Sequence, residues 1–147
     1  MPSALSRRPP VPTVSILVVD DTSDDREMYA EFLTFNGYRL FQAGSVQDAF
    51  KTAVEHVPDL VITDIRLRGT PEDGIDLTRR LKADARTRLV PVIIVSACAF
   101  ERDRARAQAA GCDAFLAKPC LPDALLAEAQ DQIARARARA TLLAPSS

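Results

Sequence analysis

The sequence predicts an α/β domain built on a parallel sheet, and three observations predict it. Short apolar runs alternate five times with stretches of helical spacing. Several of the apolar runs are continuous, as strands covered on both faces must be. The runs also end in polar or charged residues, where a parallel sheet gathers its ligands.

Residues 14–19 form the first run, and they stop at Asp20-Asp21. Thr22 or Ser23 can cap the next helix, whose apolar stripe is Met28, Phe32, Leu33 and Phe35 and whose end is Asn36-Gly37. Residues 38–43 read as a second strand. Ser45 and Asp48 resemble a capping box, and Val46, Ala49, Phe50, Ala53, Val54 and Val57 then recur at helical spacing. Residues 60–63 are a third strand, ending in Asp64. A loop runs to Gly74, and Ile75, Leu77 and Leu81 mark the helix after it. Residues 91–95 are a fourth strand, ending in Ser96, and an Arg/Ala-rich helix spans 100–110. Residues 114–117 are a short fifth strand before Lys118-Pro119. The last helix starts near Pro122 and buries Leu125, Leu126, Ala129 and Ile133.

The 147 residues suit one domain with a real core. A net charge of −1 gives no global field favouring nucleic acid or a membrane surface. No apolar stretch is long enough to span a bilayer. The first 13 residues hold prolines and two arginines but no apolar signal core, so a disordered arm and a cytoplasmic location are expected. Cys98, Cys112 and Cys120 lack metal spacing, which leaves them as reduced, semi-buried small hydrophobes.

Adjacent carboxylates repel one another and resist dehydration, so Asp20-Asp21 calls for a nearby cation. If the strand order is 2-1-3-4-5, strands one and three are neighbours and Asp64 converges on the same point. Ser96 and Lys118 then close the pocket from the other side. Three carboxylates suit a hard divalent ion such as Mg²⁺, which accepts carboxylate, water and phosphate oxygens. Asp64, alone at its strand end, is the best nucleophile for aspartyl-phosphate chemistry.

Asp20-Asp21, Asp64, Ser96 and Lys118-Pro119, in that order on an alternating α/β pattern, resemble the receiver domain of two-component response regulators. The resemblance covers about residues 15–133. It implies a flavodoxin-like (βα)5 doubly wound sheet in the order 2-1-3-4-5, with the receiver occupying 14–134 and an Arg/Ala-rich helix end and tail at 135–147. It implies that Asp64 accepts a phosphoryl group from a phosphohistidine on a sensor histidine kinase or histidine phosphotransfer protein. Asp20, Asp21, Asp64 and the backbone carbonyl of Arg66 would hold Mg²⁺, and Lys118 would pair with the phosphoryl oxygens. The peptide before Pro119 would be cis. Ser96 and Phe115 would form the switch, and Arg66 and Cys98 would tune dephosphorylation. Output would pass to a protein partner through the face of the fourth helix, fifth strand and fifth helix, which could also form a homodimer. Such a domain is not an enzyme in the ordinary sense, since it catalyses only its own phosphorylation and slow dephosphorylation.

The loop IRLRGTPEDG departs from the family, which usually reaches its glycine two residues sooner and has proline where Arg68 stands. Asp24 and Asp25 read as helix N-terminal acids, Glu72 and Asp73 as a solvated loop, and His56 as a surface residue. In ARARARA, residues 134–140, every second residue steps roughly 200° around a helix. Those arginines therefore share no face, and a frayed or projecting helix end is expected. Without aromatics or a helix-turn-helix they are weak support for nucleic-acid binding. One alternative is a degenerate receiver that binds a partner without phosphate. A haloacid-dehalogenase-type phosphatase fits less well. It wants a second acid two residues after its nucleophile, where Asp64 is followed by Arg66 and Asp20 by Thr22, and no cap insertion is present.

Overall fold

The computed structural model describes residues 13–67, 71–97 and 100–143. Five strands, β1 (Ser15–Val19), β2 (Arg39–Ala43), β3 (Leu60–Thr63), β4 (Val92–Ser96) and β5 (Ala114–Ala117), alternate with five helices. The helices are α1 (Ser23–Phe35), α2 (Val46–His56), α3 (Gly74–Ala83), α4 (Glu101–Ala110) and α5 (Pro122–Leu143). All strands are parallel, in the order β2-β1-β3-β4-β5, as expected.

Strand alternation divides the core into two layers. Leu17 and Val19 of β1 face α2, α3 and α4, where Ala49, Ala53, Ile75, Leu77, Leu81 and Ala107 pack. Ile16 and Val18 face α1 and α5, against Tyr29, Leu33, Leu125, Ala129 and Ile133. The central strands β1, β3 and β4 are buried almost throughout, which accounts for their unbroken apolar runs.

The helix ends follow local chemistry. Asn36 caps α1 and Gly37 follows at φ +94°, a conformation glycine adopts without a Cβ clash. Ser45 Oγ accepts from the Asp48 amide to start α2. Thr22 occupies the N-cap of α1 without a side-chain hydrogen bond. Asp73, expected in a solvated loop, is instead the N-cap of α3. It accepts from the Ile75 and Asp76 amides, and Asp76 accepts from the Asp73 amide in return. The Asp73 amide, which outweighs the effect of burial with help from Arg79 and Arg106, holds the Asp76 carboxyl below its usual range.

At the amino end of the sheet, Asp113, just before β5, ties α3, β4 and α5 together. Its Oδ2 accepts from Lys82 Nζ of α3 at 2.9 Å and from the Val92 amide at 2.8 Å. Gln132 of α5 donates to the Asp113 carbonyl, and Arg139 lies 3.7 Å from Oδ1. The arginine-alanine stretch is thus continuous helix to Leu143, and Arg139 reaches back to the sheet.

Candidate functional site

The carboxyl ends of β1, β3, β4 and β5 meet above the sheet. The register places Val19 beside Thr63 and Ser96 beside Ala117, so residues 20, 64, 96 and 118 gather where strand order reverses. Lys118 sits among the acids, with Nζ 2.9 Å from Asp64 Oδ2, 3.6 Å from Asp20 Oδ2 and 3.8 Å from Asp25 Oδ2. The Lys118 amide donates to the Ser96 carbonyl, which fixes β5 against β4 at this level. The Lys118–Pro119 peptide is cis.

Asp20 is 3% exposed. Burial pushes its carboxyl above the ordinary value, partly offset by the Thr22 amide donating to Oδ1 and by Lys118. Burial acts against the Lys118 charge as well. The hydrogen bond to Asp64 and the negative potential of Asp64 and Asp20 outweigh it, and the net shift is upward. The ammonium therefore stays charged at any physiological pH. Burial also raises the neighbouring Tyr29 hydroxyl.

The backbone around Asp64 is tightly constrained. Its Oδ1 accepts from the Ile65 amide, while its carbonyl accepts from Thr63 Oγ1 at 2.8 Å. Gly74, whose amide donates to the Ile65 carbonyl, starts α3 directly against this turn, and a Cβ there would collide with the Asp64 carbonyl. On the other flank, Arg26 Nη1 donates to the Asp20 carbonyl at 2.6 Å, and Arg26 Nε donates to Gln42 of β2.

Asp64, Asp20, Lys118 and Ser96 are therefore close neighbours, with Ser96 buried at the end of β4. Asp21 is half-buried beside Asp20, and Arg66 is exposed two residues past Asp64. Phe115 is partly buried against the core, with Arg104 over its ring. Arg68 and Cys98 lie outside the described residues. Cys112 and Cys120 are free thiols, and burial raises both above the usual value. Asp25 joins the site through Lys118, which its place in an acidic first turn did not suggest. His56 is partly exposed but stacks on Phe41, with centroids 4.4 Å apart.

Among the described residues, no group of three or more His, Cys, Asp or Glu side chains forms a ready metal cage. Lys118 lies between the carboxylates that would make one. The donors are all hard oxygens around a buried acid that needs a cation, so their chemistry fits Mg²⁺. No helix among the described residues is long and apolar enough to cross a membrane.

Comparison with known proteins agrees with this geometry. Residues 16–130 match the family model of the response regulator receiver domain. The polar-differentiation response regulator DivK of Brucella ovis is 35% identical over 108 residues, covering 73% of this chain and 85% of DivK. A receiver domain of a Pseudomonas aeruginosa sensor histidine kinase, with magnesium coordinated in its active-site cleft, is 30% identical. It superposes with a TM-score of 0.76 over 83% of this chain and 98% of its own. A CheY-like receiver domain protein of Methanospirillum hungatei shares the fold at a TM-score of 0.80 and 22% identity, over 86% of this chain and 98% of that one.

Proposed function

Given that this chain belongs to the response regulator receiver domain family, we propose that it takes a phosphoryl group onto Asp64. One contact carries the reading: the Lys118 ammonium lies 2.9 Å from Asp64 Oδ2 at the carboxyl end of a central strand. The donor is a phosphohistidine on a sensor histidine kinase or histidine phosphotransfer protein. A carboxylate oxygen of Asp64 forms the bond to phosphorus as the donor's P–N bond breaks, and that electron pair stays on the imidazole. Lys118 transfers its hydrogen bonds from the carboxylate to the phosphoryl oxygens, and Ser96 donates its hydroxyl to another. Asp20, Asp21 and Asp64, with the Arg66 carbonyl, are the groups that would hold Mg²⁺, which would supply neutralisation of the phosphoryl charge.

Inward movement of Ser96 draws Phe115 with it and reshapes the face formed by α4, β5 and α5. Phe100 and Leu121, 63% and 73% exposed, stand near that face as apolar contacts for a downstream protein or a second copy. Arg66, exposed beside Asp64, governs water access and hence phosphoryl lifetime.

Incubation with acetyl phosphate and Mg²⁺ should add one phosphoryl group by intact mass. The adduct should be hydroxylamine-labile, blocked by chelator and absent from Asp64→Asn. The second reading is a phosphate-independent binding module, favoured by a lysine that already neutralises the acids. Failure of both the adduct and beryllofluoride binding would select it.

A further inference from the structure

The Asp25 contact with Lys118 has no part in the chemistry above. Asp25 sits in the first turn of α1 and is about half exposed, yet its carboxylate reaches within 3.8 Å of the ammonium that also serves Asp64. It lines a cleft of about 410 Å³ together with Lys118, Met28, Tyr29, Pro119 and Cys120. A phosphoryl donor approaching Lys118 from that cleft passes this negative charge.

We propose that Asp25 is a specificity-determining residue, whose carboxylate competes with the incoming phosphoryl group for Lys118 and so disfavours small free dianionic donors. The inference rests on the phosphoacceptor reading of Asp64.

The physical case is a competition for one cation. In the resting site Lys118 answers three carboxylates, two of them essentially fixed by the sheet and one carried by an exposed helix turn. A dianion must displace the exposed partner, and it then remains a few ångströms from an unpaired like charge. That separation is within the screening length of physiological salt, so the repulsion survives in part. Removing the charge should raise the rate by about three- to ten-fold, an electrostatic effect of ordinary size at a partly exposed position. A phosphohistidine presented by a protein avoids the penalty if that protein sets a basic side chain opposite Asp25.

The test compares the wild type, Asp25→Asn and the charge-matched control Asp24→Asn, whose side chain is exposed on the same turn. Phosphorylation rates are measured with acetyl phosphate, a dianion, and with phosphoramidate, which is net monoanionic near neutral pH. Mg²⁺ affinity is measured by calorimetry. D25N should accelerate acetyl phosphate several-fold and phosphoramidate less, while D24N stays at the wild-type rate. Equal rates in D25N and wild type overturn the proposal, as does the same acceleration in D24N. A slower D25N with weakened Mg²⁺ binding also overturns it and makes Asp25 a metal ligand. A wild type that takes no phosphoryl group from either donor refutes the phosphoacceptor reading itself.

Discussion

The guanidinium of Arg104 lies over the ring of Phe115, with Cζ 4.7 Å from the centroid. The first turn of α4 thereby grips an aromatic side chain three residues before Lys118. Arg104→Ala should cost about 0.5–1 kcal/mol, the usual size of an exposed cation–π contact. Arg104→Lys should recover part of it. Urea denaturation of the three proteins measures both, and an unchanged midpoint in the alanine variant would mean the ring is held by the core alone.

Lys118→Ala should abolish detectable phosphorylation and leave Asp20, Asp25 and Asp64 without that counter-charge. Lys118 is among the influences that pull the Asp20 pKa down. Its removal should therefore move Asp20 further up, as read by carboxyl-carbon NMR titration. An unmoved Asp20 would contradict the 3.6 Å contact.

Asp20 binds its proton more tightly in the fold than in the unfolded chain, since burial raises its pKa above 3.8. The stability linked to that proton is complete below 3.8 and is lost as pH rises through the higher folded-state value. Asp20→Asn removes the loss. Metal-free D20N should be more stable than the wild type at neutral pH and converge with it in acid. Mg²⁺ should then stabilise the wild type more than the variant. Urea melts across pH, with and without the ion, decide the matter.

Gly74→Ala places a methyl group against the Asp64 carbonyl. Backbone cannot yield there as a flexible side chain would, so the variant should lose about 1–3 kcal/mol. It should also lose most of its phosphoryl uptake, because the displaced atoms belong to the acceptor itself. A stable G74A with normal uptake would show that the turn relaxes freely.

A continuous apolar run made β3 legible to the residue, because a strand inside a sheet carries no competing pattern, and the short run of the edge strand β5 was bounded by Asp113 and Lys118. The acids and Lys118 were legible for a related reason: a charge directly after such a run has nowhere to go but the sheet's carboxyl edge. Asp25 was not. An acid in a helix's first turn has a sufficient local explanation, and only the fold brings Lys118, ninety-three residues later in the chain, to its side. Asp73 was missed because the capping partner in α3 is Asp76, shorter than the usual Glu or Gln. The arginine-alanine stretch has no amphipathic stripe of its own, so its helicity depends on Gln132, Ile133 and Arg139 meeting the sheet.

Helix α5 begins at Pro122, four residues after Lys118, and continues unbroken for 22 residues to Leu143. At 1.5 Å per residue it is a rod about 33 Å long, with one end next to the acidic pocket and the other beyond the opposite edge of the sheet. A rod of that length multiplies angles: a tilt of about 5° at Pro122 carries Leu143 through about 3 Å. Leu142 and Leu143 are 84% and 66% exposed at that end. The hydrogen-bonded and ionic links from Gln132 and Arg139 to Asp113 resist that tilt, setting how much of a sub-ångström rearrangement at the pocket becomes displacement at the far end.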